Sequence, residues 1–328
     1  MVLHGQAPIE TAPLSAEEID APTPAADELL VRVRTCGLCR TDLHVVEGDL
    51  PARHPRIVPG HQIVGVVEAA PPRARFGPGD RVGIAWLRHT CGHCRYCTSG
   101  RENLCAEARF TGWDADGGFA EHAVVSAAFA YPIPDVFSDV EAAPLLCAGI
   151  IGFRALERAQ VPAGGRLGLW GFGSSAHVTL QVARARGARV LVFTREPSHR
   201  ALAGALGAVW TGDVHDAPPE SLDSAILFAP VGTLVPVALQ RLARGGTLAL
   251  AGIYMTSTPP LEYDRDLFYE RELRSVTANT RVDGERLLAE AAAIPVRLAT
   301  TTFALADANR GLLELKRGSF AGSGVLVS

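Results

Sequence analysis

No block of lysine and arginine occurs anywhere in this chain, whose 31 basic and 35 acidic side chains leave a net charge of −4. A protein that grips nucleic acid by its phosphates needs a basic face, so that class is excluded and a small-molecule partner fits better. An apolar run of the ~18 residues that cross a bilayer is missing too, which excludes a helical membrane span. Met1 to Glu10 lacks the basic region and continuous apolar stretch of a secretory leader, and the chain is read as cytoplasmic. Internal repeats and low-complexity tracts are absent, although glycine (33) and proline (22) are plentiful. With 48% apolar and 20% charged residues the composition is that of a soluble globular enzyme, not of a disordered chain. Single cores stop growing near ~250–300 residues, so 328 residues point to two domains.

What is present is rhythm. Leu29 to Arg34 and Ile63 to Glu68 are β-branched and bounded by Gly or Pro, and Asp80 to Gly83 closes a similar unit, so the first half reads as short strands and loops. After Ala148, helix-like stretches (150–160, 176–186 and 198–206) alternate with apolar strands at 166–170, 190–194, 225–229 and 247–251. Such alternation makes a parallel sheet covered by helices. From about Asn279 the rhythm is lost, and Ser323 to Val327 is expected to be a strand returning to the first domain.

The seven cysteines are Cys36, Cys39, Cys91, Cys94, Cys97, Cys105 and Cys147, an odd and clustered set that suits reduced thiols and metal better than disulfides. Cys91, Cys94, Cys97 and Cys105 follow C-x2-C-x2-C-x7-C, whose short loops let four thiolates converge on one tetrahedral ion. Four sulfurs leave no position for water or substrate, so the reading is a structural zinc site. An iron–sulfur cluster or unliganded surface thiols are the alternatives, and exposed thiols at this density would oxidise. His93 is read as solvated, not as a ligand, and Cys36 as a packed thiol.

Gly171-Phe-Gly173-Ser174-Ser175-Ala176 follows the 166–170 strand and leads into a helix, a G-x-G-x-x-A turn in the context of a Rossmann dinucleotide fold. Its glycines permit a tight turn and close approach of backbone amides to pyrophosphate at a helix N-terminus; out of context, such a run is an ordinary loop. After the next strand the sequence reads Thr194-Arg195-Glu196, where NAD-preferring proteins place an acid for the ribose 2′-hydroxyl. Thr194 can hydrogen-bond a 2′-phosphate, and Arg195, with Arg200 downstream, supplies positive charge. NADP(H) is therefore favoured, while Glu196 and the unknown direction of Arg195 keep NAD(H) open.

Cys36-Gly-Leu-Cys39-Arg40-Thr41-Asp42-Leu-His44 and Pro59-Gly60-His61-Gln62-Ile-Val-Gly65 resemble the zinc-dependent alcohol dehydrogenases of the medium-chain dehydrogenase/reductase superfamily. The likeness covers essentially the whole chain and is nearest to bacterial and cinnamyl-alcohol-dehydrogenase-like members. It implies an α/β protein: a β-rich, GroES-like catalytic domain at 1–148 and 279–328, a Rossmann domain with a doubly wound parallel sheet at 149–278, and an active cleft between them. By this resemblance Cys39, His61 and Cys147 hold a catalytic zinc with a fourth position open, making two zinc ions per chain. Two thiolates and an imidazole suit zinc acting as a Lewis acid, although singly Cys147 reads equally as a core thiol and His61 as a loop residue.

The same resemblance makes Asp42 the carboxylate that fixes the ligating histidine, Thr41 and His44 a proton relay, and Arg40 a pyrophosphate contact. Asp42 as a turn former and Arg40 as a surface residue remain alternatives. Trp86, Leu87, Trp113 and Ile253 stand where the family walls its substrate pocket, which suits a small-to-medium alcohol or aldehyde, although aromatics are more often core. Gln62 departs from the family, which has glutamate after the histidine. The resemblance also implies a homodimer or homotetramer. A zinc-free quinone or enone reductase on this scaffold would lack Cys39, His61 and the four-cysteine lobe; a non-catalytic zinc-stabilised binding protein would lack the metal triplet or the phosphate turn.

Overall fold

A computed structural model describes residues 1–294 and 296–328. The chain divides into two units, Met1–Cys147 with Ala278–Ala292 and Leu298–Ser328, and Ala148–Thr277 with Ala293–Arg297.

The first unit is organised on one long strand, Glu28–Leu38, in which Leu29, Val31 and Val33 are buried while Arg32 and Arg34 face solvent. Period-two burial of this kind belongs to a sheet with one wet face. One edge of the strand pairs antiparallel with Ile63–Ala69. Its other edge is shared: His122–Ser126 covers the first half and Ser323–Val327 the second. The last strand is therefore tied into the first unit, as the sequence suggested, and the 279–328 tail is more ordered than its lost rhythm implied. It contains helices Arg281–Ala293 and Ala308–Arg317 and the strand Thr300–Ala304. The buried core under this seven-stranded sheet runs from Val2 and Leu29 through Ile63 and Phe119 to Leu312 and Leu326.

The second unit is a six-stranded, all-parallel sheet. Its order across the sheet is Trp210–Gly212, Arg189–Phe193, Arg166–Trp170, Leu222–Leu227, Leu242–Leu250, Glu272–Ser275, which is the 3-2-1-4-5-6 arrangement of a Rossmann fold. Helices Ile150–Ala159, Ser174–Ala185 and Pro197–Ala205 match the periodic stretches to within two residues. Trp170 and Phe193 stack in its core at 3.8 Å between ring centroids. Among the described residues no helix is long and apolar enough to cross a membrane.

Candidate active site

Asp42 is the residue around which the first site is built. It lies in the first turn of the helix Arg40–Glu47, where its Oδ2 accepts the Cys39 amide at 2.8 Å and closes a capping box with the Cys39 side chain. Its other oxygen accepts from the Gly60 amide at 3.2 Å and faces His61 Nδ1 at 2.9 Å. One buried carboxylate thus fixes the helix start that carries Cys39 and the loop that carries His61. That loop needs glycine at its turn: Gly60 has φ of +98°, and a Cβ there would lie 2.5 Å from the Phe119 ring and 2.8 Å from Cys36 Sγ. Cys36 is accordingly a packed core thiol.

Cys147 arrives from another direction. The helix Asp139–Pro144 ends in a proline, and the chain widens into the π-helical segment Leu145–Gly149 that carries Cys147. Proline supplies no N–H for the regular ladder, and single π turns recur where a side chain has to be re-aimed. The result brings Cys39 Sγ to 4.0 Å from Cys147 Sγ, with the ligand atoms of Cys39, His61 and Cys147 all within 4.8 Å of one another.

Several observations test whether this set fits zinc. A tetrahedral ion ~2.3 Å from each of two sulfurs would separate them by about 3.8 Å, close to the spacing seen. Among the described residues His61 Nε2 is buried without a hydrogen-bond partner, an orphan that a fully buried imidazole carries at a cost unless a cation takes its lone pair. Its Nδ1 meanwhile faces Asp42, which leaves Nε2 as the coordinating atom. Burial favours the neutral ring, but the Asp42 carboxylate and Cys39 outweigh it and hold His61 up at about 10. The hydrogen bond from Cys147, against burial, draws the Cys39 thiol well below its ordinary value, and the same bond raises Cys147.

Around this set, Thr41 Oγ1 lies 3.6 Å from Cys39 Sγ. His44 follows one turn later, so both project from neighbouring positions on the helix. Gln62 is buried with its amide against the backbone of Gly37, where a Cβ would come within 2.9 Å of it. Trp86 packs edge-on to the His61 ring at 5.0 Å and stacks with Phe110 and Trp113 at 4.9 and 6.0 Å. Arg53 covers the far end, 3.9 Å above Trp113. Phe110 and Arg53 escaped the sequence reading, because nothing in their local spacing announces a stack. Leu87 is fully buried in the core, Arg40 is exposed at the helix start, and Ile253 is exposed on the other unit.

The four-cysteine lobe forms a second donor set. Cys91, Cys94, Cys97 and Cys105 bring their sulfurs within 4.8 Å of one another, all as free thiols. Backbone amides turn inward: Cys91 N–H donates to Cys105 Sγ and Cys94 N–H to Cys91 Sγ, each at 3.4 Å. Amide donors, first that of Cys97, bring Cys94 down to about 7, while burial lifts Cys97 to about 11. His93 is exposed and turns its Nδ1 to the Cys91 carbonyl at 2.8 Å.

On the Rossmann unit, Gly171 (φ +87°) makes the turn, and the helix Ser174–Ala185 starts directly after Gly173 with no side-chain cap. Its first amides, those of Ser174 and Ser175 among them, thus lack an N-cap side chain, and a Cβ on Gly173 would meet nothing within 4 Å. Such a terminus accommodates an anionic group. Thr194 is buried at the end of its strand. Arg200 does not extend from it: its guanidinium donates to the Thr194 carbonyl at 2.7 Å and to Asp213 at 3.1 Å. Arg195 is exposed.

Residues 25–135 match the alcohol dehydrogenase GroES-like domain. "Probable alcohol dehydrogenase AdhA" of Mycobacterium tuberculosis (strain CDC 1551 / Oshkosh) is 54% identical over 98% of this chain and 94% of its own length. The solved cinnamyl alcohol dehydrogenase SbCAD4 from Sorghum bicolor has a TM-score of 0.90 at 26% identity, covering 100% of this chain and 98% of that one. A thermostable alcohol dehydrogenase from Pyrobaculum aerophilum, with cobalt and zinc bound, has a TM-score of 0.90 at 25% identity, again covering 100% and 98%.

Proposed function

This chain belongs to the zinc-dependent alcohol dehydrogenases of the medium-chain dehydrogenase/reductase superfamily, and from that premise we propose that it interconverts small alcohols and aldehydes or ketones with NADP(H) at a zinc held by Cys39, His61 and Cys147. The observation that carries the proposal is the convergence of these three donors around a His61 Nε2 that is buried and, among the described residues, has no hydrogen-bond partner. A zinc ion there would supply a Lewis acid for the alcohol or carbonyl oxygen, and the dinucleotide would supply or accept the hydride.

The chain's own residues do the rest. Asp42 holds the His61 ring by Nδ1, so that Nε2 is presented for coordination. Thr41 can accept the proton of an alcohol while donating its own, and His44 on the same helix carries it to solvent. Trp86 and Trp113 wall the approach and keep water from the His61 side, with Leu87 supporting from the core. Gln62, a neutral amide where the family has glutamate, adds no charge beside the two thiols.

Cys91, Cys94, Cys97 and Cys105 would hold a second, structural zinc, since four sulfurs complete a tetrahedron and leave nothing to react. Gly171, Gly173 and the amides of Ser174 and Ser175 would receive the pyrophosphate. Thr194 and Arg195 would face a 2′-phosphate; Arg200, already committed to the Thr194 carbonyl and Asp213, braces that turn. The test is a panel of primary and secondary alcohols and their carbonyl partners, assayed with both cofactors on protein of known zinc content. Turnover that prefers NADP(H) supports the reading; preference for NAD(H) removes the cofactor part, and no turnover of any alcohol removes the whole.

A further inference from the structure

His44 is not left to find its own orientation. The helix that carries it ends at Glu47, and Gly48, at φ +95°, reverses the chain. The amides of Gly48 and Leu50 then both donate to the His44 carbonyl, at 3.2 and 3.0 Å. This fold-back lays Asp49 beside the helix it has just left, with Oδ2 at 2.8 Å from His44 Nδ1. From outside, the Gln6 amide laces the turn down, donating to the Val45 and Leu50 carbonyls at 2.8 and 2.7 Å and accepting from the Ala52 amide at 3.2 Å. The His44 side chain is only 14% exposed and that of Asp49 38%, so the pair meets at the edge of solvent.

We propose that Asp49 is the positioning residue of the proton relay: it fixes the His44 ring and keeps its Nδ1 protonated, so that proton transfer takes place at Nε2. The inference rests on the relay role given above to Thr41 and His44. A neutral imidazole has one N–H and one lone pair, and a carboxylate against Nδ1 claims the N–H. Nε2 is then the acceptor. During alcohol oxidation one proton passes from the Thr41 side to Nε2, the N–H toward Asp49 stays in place, and the imidazolium stands beside a carboxylate until Nε2 returns the proton to water. No proton is gained or lost by Asp49. The logic is that of an aspartate orienting a histidine base, here at the exposed end of a relay instead of beside a nucleophile.

The experiment uses the zinc-loaded full-length enzyme and two readouts. In 15N-histidine spectra, His44 should show the Nδ1–H tautomer, and Asp49→Ala should turn it into a mixture. In steady-state alcohol oxidation, Asp49→Ala should lower kcat roughly three- to tenfold with KM for the alcohol changed less than about twofold, and Asp49→Asn, whose carbonyl can still accept, should lower it less. Adding Asp49→Ala to His44→Gln should cost no further rate, since the aspartate acts only through the histidine. An Nδ1–H tautomer that survives Asp49→Ala, or an Asp49 effect that persists undiminished in His44→Gln, would overturn the inference while a slow His44→Gln keeps the relay. A His44→Gln enzyme with unchanged kcat would overturn both.

Discussion

Glu102, on the loop between Cys97 and Cys105, takes the guanidinium of Arg281 on both its oxygens, at 2.6 to 3.1 Å, and also accepts the Arg281 amide at 2.8 Å. Since Arg281 is the first residue of the helix Arg281–Ala293, a single carboxylate from the four-cysteine lobe both pairs the side chain and satisfies an amide of the helix start. The Glu102 side chain is only 9% exposed, but that of Arg281 is 38% exposed and partly screened. Glu102→Gln should therefore cost about 1–2 kcal/mol, seen as a lower midpoint in thermal or urea unfolding. It should also speed the loss of zinc from the lobe to a chelator. Unchanged midpoint and release rate would show the latch to be ornamental.

Thr41 is buried with its hydroxyl beside Cys39. Thr41→Ala removes the only part of the side chain that handles a proton and should lower kcat about 100-fold or more, while Thr41→Ser should stay within about tenfold of wild type. Steady-state alcohol oxidation checks this, and wild-type turnover in Thr41→Ala contradicts it.

If Thr194 and Arg195 face the 2′-phosphate as proposed, with Arg200 bonded to the Thr194 carbonyl and Asp213, cofactor choice responds to Thr194. Thr194→Asp sets a carboxylate against the 2′-phosphate and gives the 2′-hydroxyl an acceptor, so the ratio of kcat/KM for NADP(H) over NAD(H) should fall by at least about tenfold. A ratio that does not move places the discrimination elsewhere.

His177, one turn into the helix after the glycine turn, is almost fully buried. Burial pushes it from 6.5 down to about 4. Between these values the unfolded chain holds more protons than the folded one, so stability rises with pH through this window and is lost as pH falls from about 6.5 toward 4, by about 3 kcal/mol in all. His177→Leu, which removes the buried ionisable ring, should cost little at pH 7.5 and should flatten the loss between pH 7 and 5. Equal acid sensitivity in both proteins would assign the window to other groups.

The sequence disclosed most where period and spacing carry the physics. The strand Arg166–Trp170 and the return strand Ser323–Val327 were legible to the residue, because apolar runs between turn signals have few other readings. The four cysteines were legible because their spacing is itself the geometry of the lobe. The helix Arg40–Glu47 was not read as a helix: it is only eight residues long, and its start is set by the Asp42 capping box. Cys147 could be named from resemblance alone, because the proline and the π turn that aim it have no periodic signature. Asp49 was missed for a like reason. Its place beside His44 depends on Gly48 reversing the chain, a tertiary consequence of one backbone angle. For Arg200 the sequence offers only a positive charge near Arg195; its ties to the Thr194 carbonyl and Asp213 depend on the fold.

The most direct test is zinc content, measured by elemental analysis beside turnover, in wild type, Cys39→Ser and Cys94→Ser. The account predicts two zinc ions per chain in active wild type. It predicts one in a folded Cys39→Ser with turnover lost, and impaired folding in Cys94→Ser, whose lobe no longer closes. Active wild type with a single zinc, or Cys39→Ser with wild-type turnover, would contradict it.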